Sequence, residues 1–134
     1  MRIIVSALCF LLTTQASAAT WKCSNPDLEI RCLDGSCAVA ESFTPLAITL
    51  AANQQLSVCA YSGCWQGPSE VQQAGNYTVV VGSELEWLGH TGPAADFIVV
   101  LDSLDQTGFI KGAGFSMPLN CHHDADQDKA LGGK

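Results

Sequence analysis

Six cysteines remain once the first eighteen residues of this chain are set aside, and they constrain its fold more than any other feature. Residues 1–18 have the plan of a secretory signal peptide, with Arg2, an apolar run over 3–12 and cleavage expected after Ala18. The seventh cysteine, Cys9, lies within that leader. An even number of cysteines in an exported chain predicts disulfides, and the periplasm or the medium as its location.

The spacing of Cys32 and Cys37 predicts a disulfide across a hairpin. Asp34-Gly35 lies at the centre of the segment that these cysteines enclose. Asp-Gly supplies the two positive φ angles of a two-residue type I′ turn, which would place the cysteines directly opposite each other.

The remaining four cysteines suggest two further bonds. Cys59 and Cys64 have the same spacing, with Ser62-Gly63 off centre, which predicts a bulged hairpin. Cys23 and Cys121 are then left to join the first strand to the last. Six cysteines allow fifteen pairings, so the sequence leaves the connectivity open.

Length and charge describe the expected exported domain. Residues 19–121 are long enough for one β domain with a modest core, followed by a polar tail over 122–134 that we expect to be disordered. Without Arg2 the chain has five Lys or Arg against thirteen Asp or Glu, a net charge of −8. Nucleic acid is therefore excluded as a partner, no membrane span is expected, and a basic protein or a cation suits this charge.

The apolar pattern predicts an all-β fold. Apolar residues recur at every second position in short segments separated by Gly, Asn, Asp and Pro, which is typical of strands. Hairpin-length links favour a small antiparallel meander that closes as a barrel or a sandwich and is braced by the disulfides. Residues 70–74 could form a helical turn. The eight strands expected lie over 28–33, 36–42, 46–50, 56–61, 77–81, 85–88, 97–101 and 108–111.

One of these strands has no polar position. Every residue from Phe97 to Leu101 is apolar. Such a run fits a strand covered on both faces, or a strand whose outer face meets a partner.

The start of the tail combines metal-ligand residue types. His122 and His123 precede Asp124 and Asp126, and His and Asp are ligands of zinc or copper. These four residues form a candidate metal site, while a solvated polar tail is the alternative interpretation.

No catalytic constellation is convincing. The chain has no Gly-x-Ser-x-Gly segment, and the cysteines are better explained as disulfides than as nucleophiles. Glu84 and Glu86 share a strand face as solvated carboxylates, and His90 lies in an expected loop. We therefore expect no enzyme activity and no cofactor.

The segment from Tyr61 to Trp65 is the candidate recognition site. A Tyr and a Trp beside a disulfide-fixed turn provide a large contact area that loses little rotamer entropy on binding. The alternative is that Trp65 is a core residue packed on the disulfide.

Together with the expected architecture, Tyr61-Ser62-Gly63 resembles the periplasmic inhibitors of c-type lysozyme. Those proteins are small barrels that insert a loop carrying Ser-Gly into the cleft of the basic enzyme. The resemblance implies that Tyr61, Ser62 and Gly63, with Trp65 beside them, contact the partner, and that Lys111 on a late strand makes a second contact.

The leading hypothesis is thus that this chain is a small exported binding protein of the bacterial periplasm. It would inhibit a basic protein such as a c-type lysozyme. A periplasmic metal-binding protein that uses His122, His123 and the tail aspartates is the second hypothesis. A structural component of the envelope without catalytic activity is the third.

Overall fold

The computed structural model describes residues 20–25 and 28–124. The predicted signal peptide, Asp126 and the rest of the tail after Asp124 lie outside these residues. The regular elements of the described part are eleven β-strands. They are β1 Trp21–Ser24, β2 Ile30–Leu33, β3 Ser36–Val39, β4 Ala47–Leu50, β5 Gln55–Ala60, β6 Gly63–Pro68, β7 Glu70–Ala74, β8 Tyr77–Gly89, β9 Ala95–Asp102, β10 Thr107–Gly112 and β11 Phe115–His123.

Eight of these strands close into an antiparallel barrel, so the fold is the barrel rather than the sandwich. Their order around the wall is β1-β4-β5-β6-β8-β9-β10-β11, and β11 pairs with β1 to close the ring. The β2–β3 hairpin is attached to the start of β11, and β7 pairs with the first half of β8. None of the elements within 20–25 and 28–124 is an apolar helix of the length that a bilayer crossing takes.

The loops gather at two ends of the barrel because neighbouring strands run in opposite directions. The Tyr61 end carries the β5–β6 turn and the β8–β9 loop over 90–94. At the opposite, terminal end the two ends of the described chain meet, since the Asp124 N–H donates to the Thr20 carbonyl at 3.0 Å.

Alternation along the strands fills the interior with apolar side chains. On β4 and β5, for example, Ile48, Leu50, Leu56 and Val58 point inward while Thr49 and its cross-strand partner Ser57 face outward. The same alternation puts Phe97, Val99 and Leu101 of β9 in the core and leaves its outer face uncovered among the described residues. The all-apolar strand is therefore covered on one face only.

All three predicted disulfides are present, and each joins residues that lie directly opposite on paired strands. They are Cys23–Cys121, Cys32–Cys37 and Cys59–Cys64. Asp34 and Gly35 have φ angles of 50° and 78°, as the predicted type I′ turn requires. Three disulfides in a small domain are consistent with an oxidising compartment.

Several predicted elements need correction. The expected strands 77–81 and 85–88 are one strand, β8, which bends at a bulge between Gly82 and Leu85. The expected helical turn over 70–74 is strand β7. Strands β1, β6 and β11 were not predicted, and β11 extends two residues beyond the expected domain end at 121.

Two buried polar side chains pin the loops at the Tyr61 end. Asn25 Oδ1 accepts the Leu46 N–H at 2.5 Å. The Glu29 carboxylate accepts from the Thr44 N–H and, at 2.6 Å, from Arg31 Nε. Burial raises the pKa of Glu29, but the hydrogen bonds from Thr44 and Arg31 outweigh it, so that the pKa is lowered overall.

Candidate functional site

The β5–β6 turn is the most exposed aromatic feature of the described chain. Tyr61 and Ser62 form a two-residue turn, because Ala60 pairs with Gly63 on the strands that it joins. The predicted bulge is therefore wrong. Tyr61 is 74% exposed, and its hydroxyl donates to the Phe43 carbonyl at 3.2 Å. The ring is thus held by one hydrogen bond while its faces stay open to solvent.

A covalent bond fixes the base of this turn. Cys59 and Cys64, one residue below the closing pair, are bonded across β5 and β6 on the outer face of the wall. A rigid turn loses little conformational entropy when it binds.

Apolar side chains surround the turn and define what we call the Tyr61 surface: Tyr61, Ser62, Phe43 and Leu88. Leu88 lies on β8 opposite Cys64 and is 50% exposed, and Phe43 is 39% exposed. Large apolar side chains that stay exposed beside a rigid turn are typical of protein contact surfaces.

Gly63 serves the architecture of this surface. A Cβ on Gly63 would lie 2.5 Å from the Leu88 carbonyl oxygen, closer than any real Cβ contact. Only glycine therefore lets β6 approach β8 closely enough to bring the turn beside Leu88.

Trp65 lies on the opposite face of the wall from the disulfide. Its ring packs against Trp87 and Phe97, with centroid distances of 4.4 Å and 5.2 Å. Its Nε1 donates to the Pro93 carbonyl at 3.1 Å, in the β8–β9 loop. The structure thus places Trp65 with the half-buried side chains that close the Tyr61 end of the barrel, apart from the exposed Tyr61.

Lys111 lies elsewhere on the barrel. It is exposed on β10, and strands β8 and β9 separate β10 from β6 and its turn. Its neighbours in a shallow cavity belong to the β2–β3 hairpin with the Cys32–Cys37 disulfide. The structure therefore does not bring Lys111 together with Tyr61.

Charge is segregated around the wall, a feature that the net charge alone does not reveal. No Lys or Arg occurs between Arg31 and Lys111, whereas that stretch contains eight Asp or Glu. Strands β4 to β9 and the four residues of the Tyr61 surface all lie within it. The sequence contains this signal, which a count of net charge does not show.

The three described residues of the predicted metal site, His122, His123 and Asp124, diverge at the terminal end. His122 and His123 are neighbours on β11 and point to opposite faces, since His122 is exposed and His123 packs edge-on against Trp21 at 4.7 Å. Asp124 forms an ion pair with Lys22 at 3.2 Å. Within residues 20–25 and 28–124, no three His, Cys, Asp or Glu side chains are grouped as metal ligands would be.

The terminal end also has an open cavity of about 290 Å³. Its polar wall is internally satisfied, because Gln73 Nε2 donates to Thr78 Oγ1 at 2.8 Å and Thr78 Oγ1 donates back to Gln73 Oε1 at 3.1 Å. Trp21, Ser103 and His123 complete the lining.

Glu84 lies within the bulge of β8, and Glu86 lies beyond it on the same strand. Glu84 has a φ of 52° within the bulge, and its N–H donates to Asp96 Oδ1 at 2.7 Å. Glu86 is exposed and lies opposite Gln66. Both carboxylates face solvent.

Comparison of the chain with protein-family models, curated proteins and solved structures finds no match. The Tyr61 surface is therefore interpreted from its own geometry.

Proposed function

We propose that this protein is an exported binding protein, of the periplasm or the medium, whose Tyr61 surface docks on a basic protein and blocks its activity. The observation that carries the proposal is the turn itself. Tyr61 stands 74% exposed on a two-residue turn whose base is covalently fixed by the Cys59–Cys64 bond. Rigid, exposed aromatic residues are the typical anchors of protein interfaces.

The chemistry of the surroundings supports a cationic partner. The wall around the turn belongs to the stretch without Lys or Arg, and Glu86 lies on the outer face of β8 two residues from Leu88. Negative charge beside an apolar centre, without Lys or Arg nearby in sequence, attracts a basic protein at long range and leaves the apolar contacts to hold it. Basic hydrolases of the cell wall, such as c-type lysozymes, have the required charge, in agreement with the resemblance of Tyr61-Ser62-Gly63.

The geometry supports two different roles for the predicted contact residues. Tyr61 and Ser62 would touch the partner, whereas Trp65 would support the turn from inside the barrel through its contacts with Trp87 and Phe97. Lys111 lies on another wall and is left out of this contact surface.

The test uses a c-type lysozyme as the probe. It measures binding of the purified protein to the enzyme, and inhibition of the enzyme's cell-wall lysis by the purified protein. Tyr61→Ala should weaken binding by about 2 kcal/mol with the melting temperature nearly unchanged, because the ring makes few contacts within the chain. Trp65→Ala should instead lower the free energy of unfolding by about 3 kcal/mol, since it leaves a cavity between Trp87 and Phe97.

Leu104→Ala is the matched control, since Leu104 is 72% exposed in the β9–β10 turn at the other end of the barrel. It should leave binding unchanged. If the wild-type protein neither binds nor inhibits the lysozyme, the inhibitor proposal is refuted for this enzyme class. Equal binding by wild type and Tyr61→Ala would refute the role of the Tyr61 surface.

A further inference from the structure

A second exposed surface lies on the outer wall formed by β7 to β10, away from the Tyr61 surface. Its apolar centre consists of Val81 and Ile98, with Val79 and Val100 beside them, and four of its large side chains are between 37% and 49% exposed. We call this surface the β8–β9 face. Directly paired residues form its three rows, which are Glu70-Val81-Ile98-Lys111, Gln72-Val79-Val100-Phe109 and Ala74-Tyr77-Asp102-Thr107.

Opposite charges mark the two edges of this face. Glu70 on β7 and Lys111 on β10 stand at the two ends of one row, with only Val81 and Ile98 between them. The described residues form two ion pairs, Lys22–Asp124 and Arg31–Glu29, so Lys111 is the one described Lys or Arg outside an ion pair.

We propose that the β8–β9 face binds a second copy of this chain in a two-fold symmetric dimer. A two-fold axis that runs parallel to the strands, between β8 and β9, exchanges the two edges of the face. It places Glu70 of each copy over Lys111 of the other, and Val81 over Ile98. An isologous contact of this kind needs a self-complementary surface.

The other two rows obey the same symmetry. The axis places Tyr77 of one copy over Asp102 of the other, a hydroxyl donor opposite a carboxylate acceptor. It places Val79 over Val100 and Gln72 over Phe109. A partner of a single charge sign would satisfy one edge of the face and repel the other, whereas a second copy satisfies both.

The size of the face sets the strength of this dimer. Four strands and three residue rows cover about 14 Å by 14 Å. A standard stable interface buries about 800 Å² on each partner, so this face supports a reversible dimer that depends on protein concentration.

Sedimentation equilibrium of the protein expressed from its full sequence tests the proposal, from micromolar to millimolar concentration. The average mass of the wild type should rise from monomer toward dimer. Ile98→Lys should keep the protein monomeric, because it buries a charge at the centre of the contact. Leu104→Lys, an exposed apolar residue outside the face, should dimerise as the wild type does.

A charge exchange identifies the geometry of the contact. Lys111→Glu opposes two carboxylates at both edges and should raise the dimer dissociation constant by about tenfold. The double variant Glu70→Lys/Lys111→Glu restores opposite charges and should return the constant to within about threefold of wild type. Circular dichroism checks that every variant is folded.

Two results would overturn the proposal. One is a wild-type mass that stays monomeric up to millimolar concentration. The other is a dimer that the double charge exchange fails to restore, which would mean that another surface makes the contact. Neither result depends on lysozyme binding, so the proposed function stands or falls separately.

Discussion

Trp65 and Tyr61 are four residues apart, yet the structure gives them opposite environments. A two-residue turn keeps strict alternation across the hairpin, so Trp65, paired with the buried Val58, must point into the barrel. A bulge, which the sequence suggested, would remove this certainty because it adds one residue to one strand. The cysteine spacing predicts that Tyr61 lies in an exposed turn. The face of the wall on which Trp65 lies depends on the β5–β6 pairing register, which the sequence does not give.

Glu29 is a buried carboxylate whose protonation on acidification should destabilise the folded protein. Because its hydrogen bonds lower its pKa in the folded protein, ionised Glu29 contributes stability above the unfolded value of 4.5. That stability is lost as the pH falls through the lower folded value. We therefore expect the free energy of unfolding of the wild type to fall on acidification below pH 4.5, in urea titrations at a series of pH values.

Glu29→Gln should destabilise the protein by about 2 kcal/mol at neutral pH, since its amide cannot accept from both Thr44 and Arg31. The variant should also lose less stability than the wild type on acidification. Glu41→Gln, on an exposed carboxylate, is the control and should follow the wild-type curve. Identical pH dependence in wild type and Glu29→Gln would contradict this account.

Among the strands, sequence prediction found segments with a recognisable apolar pattern, and it missed β6 and β7, whose compositions are not typical of strands. β4 and β5 alternate without Gly or Pro, and β9 has a continuous apolar run over 97–101. β6 contains two Gly and a Pro, and β7 is mostly residues that favour helices, so neither has the strand composition. β6 and β7 are strands because they pair with β8, and no local sequence pattern predicts that pairing.

Neither the β8 bulge nor the strand order could be predicted from the sequence. Gly82 and Ser83 resemble a turn between two strands, whereas the chain absorbs them by bending, with Glu84 at a φ of 52°. Lys111 could not be placed relative to Tyr61 because that relation depends on which strands neighbour each other around the wall.

The β2–β3 hairpin gives a test at the scale of one element. Gly35 has a φ of 78°, and a Cβ there would meet no atom within 4 Å, so any cost of a side chain comes from the backbone alone. Gly35→Val should lower the free energy of unfolding by about 1 kcal/mol or more, because β-branched residues resist positive φ. Chemical unfolding measures this loss.

Gly35→Asn is the matched variant, because Asn tolerates the left-handed region. It should lose clearly less stability than Gly35→Val. Equal losses in the two variants would mean that the turn conformation is not the cause.

For the whole molecule, the disulfides differ in what they constrain. Cys23 and Cys121 lie 98 positions apart in the sequence, against 5 positions for each of the hairpin bonds. In the chain-entropy account, replacing both Cys23 and Cys121 by Ala should cost about 4–5 kcal/mol, and replacing both Cys32 and Cys37 about 2 kcal/mol. Thermal or chemical unfolding of the two double variants provides the comparison. A larger loss from the hairpin bond would contradict this ranking.

The Cys23–Cys121 bond also determines how the molecule responds to mechanical force. A pull on the two ends of the chain passes from β1 to β11 through this bond, so the segment between Cys23 and Cys121 carries no tension. About 350 Å of chain is therefore withheld from extension. An unfolding enzyme that pulls on one end of the chain would therefore meet a covalently closed loop. Opening of the barrel would then depend on reduction of the Cys23–Cys121 bond rather than on force.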